Sequence, residues 1–177
     1  MYLKYLAFLI LNLLAGAVNL VLAWPIALCA DKGGWLPLWL WWFQTPDNPL
    51  DGDNGWKTEH RWFLTQDTWC KRWANRVGWM YRNPTYGFAI SVLGSQTQPS
   101  DELVTSGDPA TGNQPFHSGW VHRVLMRNGA PAYFQFYLIW PWSSTRYLRL
   151  NLGWKLWGYP TTDKMQFTFS PNPFRKI

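Results

Sequence analysis

The sequence predicts an α+β protein with an N-terminal transmembrane helix, one basic amphipathic helix and an antiparallel meander sheet of about five strands. Three observations predict this class: a long uncharged run near the N-terminus, a helical period after it, and a period of two in the second half. We expect a membrane-spanning helix at 1–30 and a Trp-rich interfacial corner with an Asp/Pro/Gly loop at 31–56. An α+β domain at 57–177 should follow, with a mobile loop at 94–118.

Composition indicates a protein that works beside an anionic partner. The chain has 177 residues, 15 of them Trp, and a net charge of +6. Trp combines a large apolar ring with one N–H donor, which suits wet–dry interfaces. Basic side chains concentrate in residues 57–93 and 119–177, so lipid head groups or nucleic acid fit as partners. Cys29 and Cys70 do not form a disulfide framework.

The run from Tyr5 to Ala30 carries no charge. Roughly 20 apolar residues suffice to span a bilayer as a helix. The alternative is a cleaved signal peptide, whose apolar core is usually only about 7–15 residues long. The length of the run therefore favours a retained anchor. The short-range distribution of Lys and Arg slightly favours an N-terminus in the cytoplasm.

Small and amide side chains repeat along this run at helical spacing. Asn12, Gly16 and Asn19 fall on one helix face, where close approach and amide hydrogen bonds promote association of helices. The pattern predicts a homo-oligomer formed through the N-terminal helix. The alternative is that a long anchor simply tolerates one or two Asn residues.

The segment after the span is rich in tryptophan and too short to cross a membrane again. Such a dense aromatic stretch is typical of an interfacial belt. The residues predicted to contact the membrane interface here are Trp35, Trp39, Trp41 and Trp42.

The loop "TPDNPLDGDNG" carries Asp47, Asp51 and Asp53, which are weak candidates for a metal site. The resemblance to a calcium loop ends early, because Trp56 stands where the EF-hand has glycine and Trp62 stands at its twelfth position. Asx and Pro residues are equally what tight turns use. Turn chemistry is the favoured interpretation, and we expect no bound metal.

The blocks "PDNPLDGDNGW" and "NRVGWMYRNPTYGFA" give the chain a family resemblance. The chain resembles a family of uncharacterised small proteins encoded by tailed bacteriophages, which share an N-terminal apolar segment and these blocks. The likeness covers roughly residues 41–89. It implies a phage context, and it implies no activity.

A helical period extends from about Gln66 to Tyr81. Trp69 and Trp73 share one face, and basic residues occupy much of the remainder. A basic helix with an aromatic stripe is typical of a membrane surface, although the same stripe would also pack on the protein's own sheet. The predicted anionic-surface residues on and just after this helix are Lys71, Arg72, Arg76 and Arg82.

Strand patterns occupy the remainder of the chain. Phe88, Ile90 and Val92 alternate with Ala89, Ser91 and Leu93, which predicts a strand, and Asn128-Gly129 indicates a tight hairpin turn. Residues 146–156 alternate cleanly, which predicts one apolar face. The opposite face should be basic and aromatic, and its Arg149 and Lys155 add to the anionic-surface set.

The sequence contains no recognisable catalytic set. The three histidines have no metal-ligand spacing and there is no Gly-rich phosphate loop, so we expect neither an enzyme nor a cofactor. We expect a phage-encoded, membrane-anchored binding or accessory protein in the host inner membrane, acting in exclusion or lysis. Its partners would be the lipid membrane and phage structural proteins, with nucleic acid a weaker candidate. The alternative is a virion structural or ejection component whose apolar helix meets the host membrane during genome delivery.

Overall fold

The computed structural model describes residues 1–60, 68–113, 116–156 and 164–176. The chain divides into two compact units. One comprises Met1–Leu9 together with Leu93–Ile177, and the other comprises Ile10–Val92. The first helix, α1 (Tyr2–Leu28), contributes its first turns to one unit and its remaining turns to the other.

The first unit is built on an antiparallel sheet, in which five strands are described and follow one another in chain order. With the helices of the chain, this sheet confirms the predicted α+β class. The strands are β1 (Asp101–Gly107), β2 (Gly119–Arg127), β3 (Ala130–Pro141), β4 (Arg146–Trp154) and β5 (Phe167–Lys176).

The first turns of α1 pack on one face of this sheet. The ring of Tyr5 lies 5.1 Å from that of Phe134 and 5.3 Å from that of Phe167, measured between centroids. Trp154 and Phe167 are fully buried beside it. Complete burial of a large apolar side chain contributes about 1.5–3 kcal/mol, so this aromatic cluster is a main source of the unit's stability.

The second unit is helical in its described part. After α1 come a 3₁₀ helix (Leu38–Phe43) and helices α2 (Asn54–Glu59), α3 (Trp69–Arg82) and α4 (Tyr86–Ser91). The last turns of α1 and one face of α3 supply much of its core. The buried core residues are Ala23, Ile26, Ala27, Leu36, Leu40, Leu50, Trp56, Val77, Trp79 and Met80.

The strand predicted at Phe88–Leu93 is wrong, because most of that segment forms helix α4. Six residues are too few for the period of the sequence to separate a buried strand from a buried helix. Gly87 decides the packing: a Cβ there would lie 2.3 Å from the Trp41 carbonyl oxygen of the 3₁₀ helix. Helix α4 lies against that backbone, and the missing side chain permits the approach.

The mobile loop predicted at 94–118 is also wrong over its middle part, where β1 pairs with β2 along its whole length. Strand β1 is at the end of the strand order, and most of its side chains are exposed, so the sequence lacks a strong apolar alternation. The start of the predicted amphipathic helix, Gln66, lies outside the described residues. Helix α3 is described from Trp69 onward.

Candidate functional site

The loop with three aspartates is tied to helix α3 by an ion pair. Arg76 donates from Nε to Asp51 Oδ1 at 2.8 Å and from Nη2 to Asp51 Oδ2 at 3.3 Å. Asn75 donates to the Asp51 carbonyl and accepts from the Trp56 indole N–H at 2.7 Å. The loop is therefore a corner held by side chains that come from α3. We call Asp51, Trp56, Asn75 and Arg76 the aspartate corner.

The other two aspartates of the loop have separate surroundings. Asp53 caps α2 by accepting from the Trp56 backbone N–H at 2.7 Å, which satisfies a donor left open at the helix start. Asp47 is exposed, and its charge adds to the effect of burial in raising the pKa of Tyr86. Among the described residues no three His, Cys, Asp or Glu side chains gather in a way that would hold a metal ion.

Arg76 does not have the role predicted for it. It is buried and its guanidinium is paired with Asp51, so it offers no free charge to an anionic surface. Arg82 is exposed, but it lies over the rings of Trp56 and Trp79 and 3.8 Å from Asp53. Lys71 is half-buried and Arg72 is exposed. The basic residues of α3 thus divide between internal pairing and the surface.

The tryptophans predicted to meet a membrane interface are mostly exposed. Trp39 is 74% exposed and Trp69 is 66% exposed, and Trp35 and Trp42 are exposed as well. Trp73 is half-buried; it stacks on Trp69, and its indole N–H donates to the Trp24 carbonyl of α1 at 2.9 Å. The half-buried Trp41 stacks on Trp35. Indole rings that remain uncovered beside an apolar helix are the pattern expected of an interfacial belt.

The residues predicted to associate helices behave differently from one another. Asn19 is fully buried and donates to the Met80 carbonyl of α3 at 3.2 Å, so its amide N–H is used within the chain. A Cβ at Gly16 would meet nothing within 4 Å. Asn12 is half-buried, and its Oδ1 has no hydrogen-bond partner among the described residues. Association through Asn12 and Gly16 remains a prediction.

The polar face of the sheet contains a buried network that the sequence did not indicate. Gln135 is fully buried, donates to Asn151 Oδ1 at 3.1 Å and accepts from the Leu156 backbone N–H at 3.1 Å. Arg123 donates to the same Gln135 oxygen at 3.4 Å. The face predicted to be basic and aromatic is thus partly covered, here by the chain that follows β4.

The two basic residues predicted on this face have different surroundings. Arg149 is half-buried, with Nη2 at 3.5 Å from Ser170 Oγ and a buried Nε that has no partner among the described residues. Lys155 follows β4 and is half-buried. The hairpin turn at Asn128-Gly129 indicates which residues of β2 and β3 pair, but a bulge between Leu125 and Met126 shifts that pairing by one residue before it reaches Gln135.

Comparison with known proteins adds a family and no activity. A family model described as a family of unknown function, DUF7338, matches residues 1–177. No curated protein and no solved structure matches the chain. Because the match covers residues 1–177, it shows the family to which the chain belongs.

Proposed function

We propose that this protein, which belongs to the DUF7338 family of unknown function, is a membrane-anchored binding protein that acts without catalysis. The observation that supports the proposal best is the exposure of α1. The helix has 27 residues, and only 11% of its apolar 18-residue window is buried. A helix in the core of a soluble protein would have most of such a window covered.

The length of α1 also fits a bilayer. At about 1.5 Å per residue the helix is about 40 Å long, and a hydrocarbon core is about 30 Å thick. Its exposed side chains are aliphatic over several turns. Leu13 and Leu14 are 53% and 59% exposed, and Leu20 and Val21 are more than half exposed.

The packing of α1 supports a retained anchor over a cleaved signal peptide. Near its start, Tyr5 and Phe8 contact the aromatic cluster of the sheet. Near its end, Ala23 and Ile26 belong to the core of the helical unit, and Asn19 is bonded to Met80. Cleavage after the apolar run would remove these contacts from both units and uncover buried apolar surface, which costs stability.

The exposed tryptophans support an interfacial belt beside the anchor. The resemblance to phage proteins supports an infected cell as the place where the protein acts. In this proposal Trp39, Trp42 and Trp69 lie at head-group level. The protein would sit in the inner membrane of an infected host, with exclusion or lysis control as its role. Mass spectrometry of purified particles tests that setting: structural copy number would place the protein in the virion instead.

Membrane extraction tests the anchor. The full chain expressed alone should sediment with membranes and resist carbonate, and a Leu13→Arg, Leu14→Arg double variant should be released. Each charge at the centre of a span costs about 2.5–3.5 kcal/mol on insertion scales. The matched control is Val104→Arg, Phe174→Arg, which adds equal charge at side chains that are 51% and 70% exposed outside α1.

Both positions in α1 are exposed, so the double variant leaves the described core intact. The control should stay in the membrane fraction. Recovery of the wild-type chain in the soluble fraction would refute the anchor, and so would equal release of the two double variants.

A further inference from the structure

A cleft of about 260 Å³ opens on the polar face of the sheet. Its walls come from the turn after β1 and from the strands β2 and β3. The residues that line it are Pro109, Thr111, Gly112, Asn113, Arg123 and Tyr137. Gly112 has a φ of +86°, and a Cβ there would lie 2.6 Å from the ring of Tyr137, so glycine allows the turn to close on that ring.

The cation in this cleft is held in place by buried neighbours. Arg123 donates to the Oε1 atom of Gln135, which is fixed in turn by Asn151 and by the Leu156 backbone N–H. Arginine carries five N–H donors, and this bond uses one of them. The guanidinium is thus oriented by the fold and keeps donors for another acceptor.

No carboxylate is paired with Arg123 within the described part of the chain. Asp101 is bonded to Arg127, and Asp108 is bonded to His117 and to the Ala110 backbone N–H. The strand register places Thr105 opposite Arg123. Glu102 lies three residues before Thr105 on β1, so its side chain is on the other face of the strand. The acidic side chains described in this unit are therefore engaged elsewhere or directed away.

The surroundings of Tyr137 add positive charge. Burial raises the pKa of Tyr137, while the nearby Arg149 and Arg175 act in the opposite direction. Its phenol therefore stays protonated at neutral pH. Arg149 also has a buried Nε without a partner in the described residues.

Burial lowers the pKa of Arg123, because the charged guanidinium loses solvent there.

We infer that this cleft binds a compact phosphate group, with Arg123 as the principal ligand and the ring of Tyr137 as one wall. A partly buried cation without a counter-ion is costly, and an oxyanion offsets that cost through charge-assisted bonds. Water occupies about 30 Å³ per molecule in the liquid, so the cleft holds a phosphate with a few attached atoms. The inference goes beyond membrane anchoring and does not depend on it.

Titration of the full chain in non-ionic detergent tests the site. The probes are inorganic phosphate and glycerol 3-phosphate, with chloride exchanged to keep ionic strength constant, and heat is measured by calorimetry. Arg123→Gln should weaken binding at least about tenfold, because bonds to charged groups are the strong ones. Lys176→Gln, which removes an exposed charge of the same sheet outside the cleft, should bind as wild type.

Thermal unfolding in chloride checks that each variant is folded, and Arg123→Lys covers the case in which Arg123→Gln is not. That variant keeps the charge and loses the planar fork, so its binding should fall between wild type and Arg123→Gln. Absence of phosphate binding in the wild type would overturn the inference. Equal binding by wild type and Arg123→Gln, or by wild type and Arg123→Lys when only that variant folds, would overturn it too.

Nanodiscs distinguish the two sources of phosphate. A lipid head group is the source if discs with phosphatidic acid compete with glycerol 3-phosphate and discs of phosphatidylcholine alone do not. A soluble ester is the source if neither disc competes. Both outcomes support a phosphate site, provided that Arg123→Gln weakens the binding at least about tenfold.

Discussion

Replacing Asp51 with Asn perturbs the aspartate corner with almost no change of shape. The substitution keeps one oxygen acceptor and removes the negative charge that faces Arg76. The Arg76 side chain is only 8% exposed, and that of Asp51 is 29% exposed. Deleting one partner of a buried pair costs about 3–5 kcal/mol, and exposed pairs contribute about 0–1 kcal/mol. The corner lies between these limits, so we expect a loss of about 2 kcal/mol.

The assay is thermal unfolding in detergent, followed by near-ultraviolet circular dichroism. For a chain of this size about 2 kcal/mol corresponds to a fall in Tm of roughly 4–8 °C. The double variant Asp51→Asn, Arg76→Met should recover part of the loss, because it removes the unpaired charge. A loss below about 0.5 kcal/mol in the single variant would show that the ion pair does not stabilise the corner, since that is the size of an ordinary surface substitution.

Two further predictions concern the sheet unit. Gly153→Ala should lower Tm strongly, because φ is +101° and the new Cβ would lie 2.0 Å from the Phe134 carbonyl oxygen; an unchanged Tm would contradict the described packing. The hydrogen bond from Arg127 lowers the pKa of Asp101 from its ordinary value of 3.8. Its contribution to stability is therefore complete above pH 3.8 and is lost as the pH falls through the lower folded value. Acid unfolding should lose this component in Asp101→Asn, and identical acid profiles would count against the pair.

The sequence was sufficient where a local pattern determines the structure. The uncharged length from Tyr5 to Ala30 predicted a long apolar helix, and α1 is observed at Tyr2–Leu28. The Asn128-Gly129 pair predicted the hairpin, and the structure places it between β2 and β3, with both residues at positive φ. Both features depend on neighbouring residues and on the solvent to which they are exposed.

The sequence was insufficient where distant residues choose the outcome. Counting outward from the hairpin turn alone would place Arg123 opposite Phe134, but the bulge after Leu125 moves it opposite Gln135. A shift of one residue changes which side chains share a face, so the cleft was hidden from the pattern. In the same way nothing near Arg76 in the sequence predicts Asp51 as its partner 25 positions away.

An environment-sensitive probe can report whether the exposed side of α1 contacts lipid. The native Cys29 and Cys70 are exposed and would be replaced by Ser. An NBD fluorophore would then be attached at Leu14→Cys on α1, or at Asn128→Cys on the exposed hairpin turn as control. The protein would be reconstituted in vesicles with and without doxyl-labelled lipid.

We expect blue-shifted emission at position 14 that doxyl lipids quench, and water-like, unquenched emission at position 128. If α1 spans the bilayer, hydrocarbon surrounds the first probe, while water surrounds the second. Water-like emission at position 14 in vesicles that retain the protein would contradict the claim that α1 is the membrane anchor.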